Sequence, residues 1–208
     1  FFFQAEDGIR DRSPSRGLGE VYKRQSLTLI GLGRIGSRVA SVAIASGMRV
    51  CAYDPFESDQ RFEELGVGRA SNLAEAVSDA QIVSVHAPLT EQTRHLVGAE
   101  LIDLMADGVF IVNTARGGLV DDSALLDALN TGKVGAVGLD VTDPEPLPSG
   151  HPLLERDDVL VTPHVASATG EGRKRIFTMA IDQVLTGLSG VIPSHILNPE
   201  VWPGRGSA

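Results

Sequence analysis

Arg116, Glu145 and His164 each sit at or soon after the end of a short apolar run of strand character, at residues 109–114, 135–141 and 158–163. In a chain that alternates strands with helices the strands lie parallel. Residues just beyond their carboxyl ends then converge on one edge of the sheet, where such folds bind ligands. Three residues distant in sequence thereby become neighbours, and their chemistry is complementary. A guanidinium grips a carboxylate through two parallel hydrogen bonds. An imidazole paired with a carboxylate exchanges a proton near neutral pH, because the partner fixes its tautomer and stabilises its charged form. The trio suits proton and hydride chemistry on a carboxylic acid.

Hydride chemistry needs a cofactor, and residues 27–36, LTLIGLGRIG, carry the pattern of a site for one. A strand breaks at Gly31 and turns through Gly33 and Gly36 into a helix-like stretch that ends at Gly47. Gly31 serves the tight turn, Gly33 lets the backbone approach a pyrophosphate, and Gly36 allows helix to pack on strand. Arg34 and Ile35 complete the loop and are assigned to cofactor binding with it. The helix amino terminus then faces the phosphates. A second strand, residues 49–53, ends at Asp54, at the spacing a dinucleotide fold requires. Asp54 would accept hydrogen bonds from the adenosine ribose and repel a 2′-phosphate, which favours NAD over NADP. No metal site is expected.

The elements that must position these residues follow in order. Helices are expected over residues 58–65, over 71–80 with Ser71 or Asn72 as cap, over 98–105, and from the capping aspartates 121 and 122 to Gly132. Strands are expected over 81–86, 109–114, 135–141 and 158–163, with a short segment at 67–69. This is an α/β chain with a doubly wound parallel sheet, the Rossmann dinucleotide-binding fold. A long helix from Thr169 to about Leu188 spaces Ile176, Met179, Ala180, Val184 and Leu188 along one apolar face. Residues 191–202, VIPSHILNPEVW, have no place in the sheet. They read as the remnant of another domain, with Ile196, Leu197, Val201 and Trp202 exposed or loosely docked.

The first residues differ from the rest. Residues 1–25 have no helical or strand period, and their apolar run is too short for a signal peptide. The string resembles the conceptual translation of a sequencing-adapter read-through. The expected division is a non-native or disordered prefix at 1–25, a cofactor domain at 26–190 and a tail at 191–208. The formal charge is −9, and the prefix holds five basic and four acidic residues, leaving about −10 on the remainder. Such a surface disfavours nucleic acid and anionic membranes, and no run is long enough to span a bilayer. The single cysteine, Cys51, lies in a strand among apolar neighbours and reads as a structural thiol in a reducing, cytoplasmic setting. His95, His151 and His195 read as surface polar groups.

The motifs GLGRIG (31–36), HAPLT (86–90), NTARGGLVDD (113–122), GLDVTDPEPLP (138–148) and TPHVASAT (162–169) occur in this order. Together they resemble the D-isomer-specific 2-hydroxyacid dehydrogenases over residues 27 to about 202. The resemblance implies that Arg116 binds the substrate carboxylate and keto oxygen, that His164 is the general acid or base, and that Glu145 pairs with it. Asp143 competes with Glu145 for that last role. It also implies that Asp140 contacts the nicotinamide carboxamide and that Thr114 and His86 line the cofactor cleft. The expected activity is NAD-dependent interconversion of a small D-2-hydroxy acid and its 2-keto acid, in a full-length homodimer. Phosphite dehydrogenases share the triad, formate dehydrogenases usually carry glutamine where Glu145 stands, and an NAD-sensing corepressor-type protein has the same fold. The chain departs from the family in lacking the amino-terminal stretch of a substrate domain. It therefore reads as a gene fragment, expected to be inactive when isolated.

Overall fold

The structure is a computed structural model and describes residues 24–202. Seven parallel strands form one sheet in the order β3-β2-β1-β4-β5-β6-β7. The strands are β1 (Ser26–Ile30), β2 (Arg49–Tyr53), β3 (Gly68–Arg69), β4 (Ile82–Val85), β5 (Val109–Asn113), β6 (Val134–Leu139) and β7 (Val159–Val161). The helices between them are α1 (Arg34–Ala45), α2 (Asp59–Leu65), α3 (Leu73–Val77), α4 (Ala99–Asp103) and α5 (Asp122–Thr131), and α6 (Gly170–Leu188) follows β7. The chain winds outward from β1 to β3, then returns to lay β4 on the other side of β1. That reversal opens a crevice at the carboxyl ends of β1 and β4, where doubly wound folds take their ligands.

Local chemistry sets the boundaries. Ser58 caps α2 by accepting from the Arg61 N–H, and Gly66 ends it at φ 67°, in the left-handed region open to glycine. Asn72, one of the two expected caps, accepts from the Glu75 N–H, while the Glu75 carboxylate returns to the Ser71 N–H at 2.8 Å. Asp121 caps α5 through the Ser123 and Ala124 N–H groups, and Thr169 caps α6. The helices expected at 71–80 and 98–105 are shorter than their polar-apolar patterns suggested, closing at Val77 and Asp103. The first helix starts earlier than Gly36, because Gly33 itself takes the extended conformation of a cap.

Two apolar clusters hold the sheet. Leu27, Leu29, Leu32, Val50 and Ala52 meet Ala40 and Ala43 of α1 and Phe62 of α2. On the other half, Val83, Val85, Ile111, Val137 and Leu139 meet Val77, Ile102, Leu125 and Leu129 from α3, α4 and α5. Each fully buried Leu or Ile contributes about 1.5–3 kcal/mol, so these clusters supply the main drive for folding.

The chain falls into two compact units that meet between Pro163 and His164. The break lies ahead of the boundary after residue 190 expected from the sequence. In the second unit α6 buries none of its residues, and its apolar side chains, among them Ile176, Met179, Val184 and Leu188, are exposed. Within that unit Gln183 accepts from the His195 N–H at 3.0 Å, and the Trp202 ring lies against Gly187. Leu197 is 99 % exposed and Val201 62 %, whereas Ile196 and Trp202 are half-buried. The amino-terminal prefix lies outside the described residues apart from Arg24 and Gln25. The Gln25 carbonyl accepts from the Arg49 N–H at 2.9 Å, extending the β1–β2 ladder.

Candidate active site

The glycine loop after β1 is built from close approaches. Gly31 has φ 101°, and a Cβ on it would lie 2.9 Å from the His86 carbonyl. A Cβ on Gly36 would lie 2.3 Å from the Gly31 oxygen, so helix and turn touch only because residue 36 is glycine. A Cβ on Gly33 would meet nothing within 4 Å. The backbone there faces open space, and no side chain caps α1. An uncapped helix amino terminus behind an open glycine backbone fits a pyrophosphate. Asp54 stands beside it, its Oδ2 accepting from the Leu32 N–H at 2.8 Å and its Oδ1 from the Phe56 N–H at 3.0 Å. Both contacts fix the carboxylate while leaving lone pairs for ribose hydroxyls. Arg34 and Ile35 are exposed at the start of α1. Ser37, not singled out from the sequence, donates its buried hydroxyl to the Leu32 carbonyl at 2.8 Å and locks the turn.

A cleft of about 550 Å³ runs from this loop across the sheet edge, bordered by Gly33, Asp54, Phe56, His86, Thr90 and Leu96. Its mixture of an apolar wall and one carboxylate suits an adenosine. Phe56, 92 % exposed, is a further lining residue that its position two past Asp54 could have signalled. His86 faces the cleft with Nε2 3.0 Å from the Ser84 hydroxyl, and burial pushes its pKa down. Burial thus disfavours its charged form. Cys51 is half-buried, and burial raises its thiol pKa, as a structural role requires.

Beyond β5 the chain turns on a fully buried Asn113. Its Nδ2 donates to the Arg116 carbonyl at 2.8 Å and its Oδ1 accepts from the Ala115 N–H at 3.0 Å. Thr114 is half-buried in this turn, and the Arg116 side chain is exposed, with Nη1 donating to the Ala115 carbonyl at 2.6 Å. Gly117 packs on the next loop so tightly that a Cβ would lie 2.0 Å from the Thr142 carbonyl carbon. The Arg116 and Glu145 loops are thus brought together. Asp140 is buried at the end of β6, its N–H on the Asn113 carbonyl at 3.0 Å and its Oδ1 accepting from the Thr162 hydroxyl at 2.6 Å. Asp143 is engaged by Arg94 at 3.2 Å, and Glu145 is exposed on the same loop. His164 comes three residues after β7, exposed and with φ 52°, as the first residue of the second unit.

Two histidines expected to be surface groups are more engaged. His151 is half-buried, accepts from the Leu153 N–H at 3.4 Å and places Nε2 3.9 Å from Asp122. The Asp122 Oδ2 is buried without a hydrogen bond, and burial raises its pKa. His95 lies 3.8 Å from Asp121. Both contacts join residues far apart in sequence, which no local pattern reports.

Residues 3–166 match the family described as D-isomer specific 2-hydroxyacid dehydrogenase, NAD binding domain, a match that begins within the stretch set aside as a prefix. The chain is 40 % identical over 191 residues to a D-3-phosphoglycerate dehydrogenase of Methanocaldococcus jannaschii, covering 92 % of this chain and 36 % of that protein. It is 39 % identical over 188 residues to a glyoxylate reductase of Aeropyrum pernix, covering 90 % and 56 %. Among solved structures, the TT0316 protein from Thermus thermophilus superimposes with a TM-score of 0.78 at 40 % identity, over 85 % of this chain and 54 % of that one. The chain thus spans between about a third and a little over half of the length of these relatives. Sequence and fold agree over most of its length, and the chain belongs to the D-isomer specific 2-hydroxyacid dehydrogenases, as their NAD binding domain.

Proposed function

We propose that the whole protein interconverts a small D-2-hydroxy acid and its 2-keto acid, with Arg116, Glu145 and His164 as its catalytic residues. The observation that carries this reading is the packing of the Arg116 loop on the Glu145 loop at the sheet edge that bears the dinucleotide cleft. Arg116 holds the substrate carboxylate and keto oxygen, its loop being fixed from beneath by Asn113. Bound NAD would supply the hydride chemistry of the reaction. His164 removes the hydroxyl proton in one direction and returns it in the other. Glu145 is the carboxylate that pairs with it, with Asp143, held by Arg94 at 3.2 Å, as the competing residue. Gly31, Gly33, Arg34, Ile35, Gly36 and Asp54 hold the adenosine and pyrophosphate end. His86, Thr114 and Asp140 line the way to the nicotinamide.

The reductase and dehydrogenase names of the relatives support this substrate class. The proposal includes a homodimer of the whole protein, a cytoplasmic location, and the division into prefix, cofactor domain and tail at residues 25 and 190. No described helix is long and apolar enough to cross a membrane. The test is NADH oxidation by the full-length protein with glyoxylate and with hydroxypyruvate. Turnover with either supports the reading; tight NADH binding without turnover on any 2-keto acid favours the corepressor-type alternative and overturns it.

A further inference from the structure

Residues 88–97 lie between two parts of the site. One side of this segment borders the cofactor cleft, through Thr90, Gln92, Thr93 and Leu96. The other is stitched to the loop that carries Arg116. The His95 N–H donates to the Gly118 carbonyl at 2.8 Å, the Val97 N–H to the Leu119 carbonyl at 2.9 Å, and the Asp121 N–H to the Val97 carbonyl at 3.1 Å. His95 sits at φ 54° in the middle of this seam, a backbone conformation that a non-glycine residue keeps only where its surroundings impose it. Arg94 reaches across, with Nη1 3.2 Å from the Asp143 Oδ2. A Cβ on Gly118 would lie 3.4 Å from that nitrogen and 3.2 Å from that oxygen. The ion pair therefore rests on the backbone two residues after Arg116, while Asp143 stands two residues before Glu145. One guanidinium spans the cofactor wall, the Arg116 loop and the Glu145 loop.

The pair is half exposed, 55 % at Arg94 and 50 % at Asp143. An ion pair so open to water adds little to stability. Its use is geometric, because it fixes where three loops sit relative to one another. We propose that Arg94 is a positioning residue that couples occupation of the cofactor cleft to the arrangement of the Arg116 and Glu145 loops. NADH and a small acid at Arg116 then bind with a thermodynamic linkage that runs through Arg94. The inference rests on the assignment of Arg116 as the residue that holds the substrate acid.

The test uses the full-length protein, with oxamate as the acid probe. NADH affinity is measured by fluorescence titration with and without oxamate, for the wild type, Arg94→Ala, Arg94→Lys and Asp143→Asn. Linked sites change one another's affinity by roughly 5- to 150-fold. Oxamate should tighten NADH binding by a factor in that range in the wild type. The factor should fall close to one in Arg94→Ala and Asp143→Asn and return in part in Arg94→Lys, which keeps the charge but not the fork. NADH affinity measured alone should be nearly unchanged. A linkage preserved in Arg94→Ala overturns the inference and leaves the functional reading intact; should that variant fail to fold, the same outcome in Asp143→Asn decides. Oxamate that binds the wild type without affecting NADH overturns the inference alone. Failure of oxamate to bind the NADH-loaded wild type removes both.

Discussion

Two glycines of one motif should fail in opposite ways. At Gly33 the backbone is at φ −65° and ψ −161°, which alanine tolerates, and a Cβ there meets nothing within 4 Å. Replacing glycine by alanine at a compatible position gains about 0.4–1 kcal/mol by restricting the unfolded chain. Alanine is a poorer cap than glycine, a loss of similar size. Gly33→Ala should therefore melt within about 2–4 °C of the wild type, the shift expected for one kcal/mol in a domain of this size. The methyl group nevertheless occupies the space through which a phosphate reaches the first amides of α1. Losing one hydrogen bond to a charged group costs about 1.5–3 kcal/mol, a roughly 10- to 150-fold rise in the NADH Kd. At Gly36 the same methyl would lie 2.3 Å from the Gly31 oxygen, well inside the roughly 3.5 Å of an ordinary non-bonded contact. The helix must retreat by about 1 Å, and such overpacking costs about 1–3 kcal/mol, or roughly 2–12 °C in Tm. Thermal melts beside NADH fluorescence titrations separate the two outcomes. A Gly33→Ala chain that binds NADH as tightly as the wild type would refute the pyrophosphate assignment, and an unshifted Gly36→Ala melt would refute the packing argument.

Asp54→Ala should narrow the preference for NADH over NADPH, read as the ratio of the two dissociation constants; equal affinities in the wild type would remove Asp54 from the ribose. It should also lose roughly 1–3 kcal/mol of stability, measured by urea unfolding, because the Leu32 and Phe56 N–H groups lose their acceptor. In the full-length protein His164→Ala should lower kcat by about 10²- to 10⁴-fold. Arg116→Ala should in addition raise KM, and steady-state kinetics showing an untouched kcat in the first would contradict the proton role. Asp122→Asn tests the buried carboxylate. A raised folded pKa means the folded state holds the proton more tightly, so wild-type stability should rise relative to this variant as pH falls toward the ordinary value of 3.8. Urea midpoints between pH 7 and 4 that stay parallel for the two proteins would show that Asp122 is not desolvated.

What the sequence made legible was periodic or local. Most strands are apolar-rich runs, the caps Asp121 and Thr169 stand at the turns they close, and Gly31 through Gly36 report close approaches that occur within a few residues. Asp54 was legible because the strand before it fixes its place. His151 was not, since its partner Asp122 lies 29 residues away, and neither was Arg94, whose partner lies 49 residues away. Polarity patterns record which face of an element is wet, but carry no record of which loop will lie beside it. The apolar face of α6 shows the converse limit. Its spacing makes a helix, yet within its own unit that face stays exposed.

The polar interior accounts for how the loops that carry the proposed catalytic residues are held. Among the described residues the buried polar side chains are Thr28, Ser37, Ser84, Asn113, Asp140 and Thr142. All but Thr28 stand at or near the carboxyl end of the sheet. Ser37 holds the glycine turn, Asn113 the Arg116 turn, and Thr142 the Pro144 carbonyl in the loop that leads to Glu145. Ser84 orients His86, and Thr162 ties the strand before His164 to Asp140. A buried hydroxyl or amide that lost its partner would cost about 1–3 kcal/mol, so each of these bonds holds its loop against displacement. Arg116 and Glu145 are exposed, on loops whose backbones are fixed from below. The proposed catalytic residues Arg116, Glu145 and His164 are all exposed. The geometry of these loops is set by buried polar residues such as Ser37, Asn113 and Thr142, whose side chains bond to the protein's own backbone.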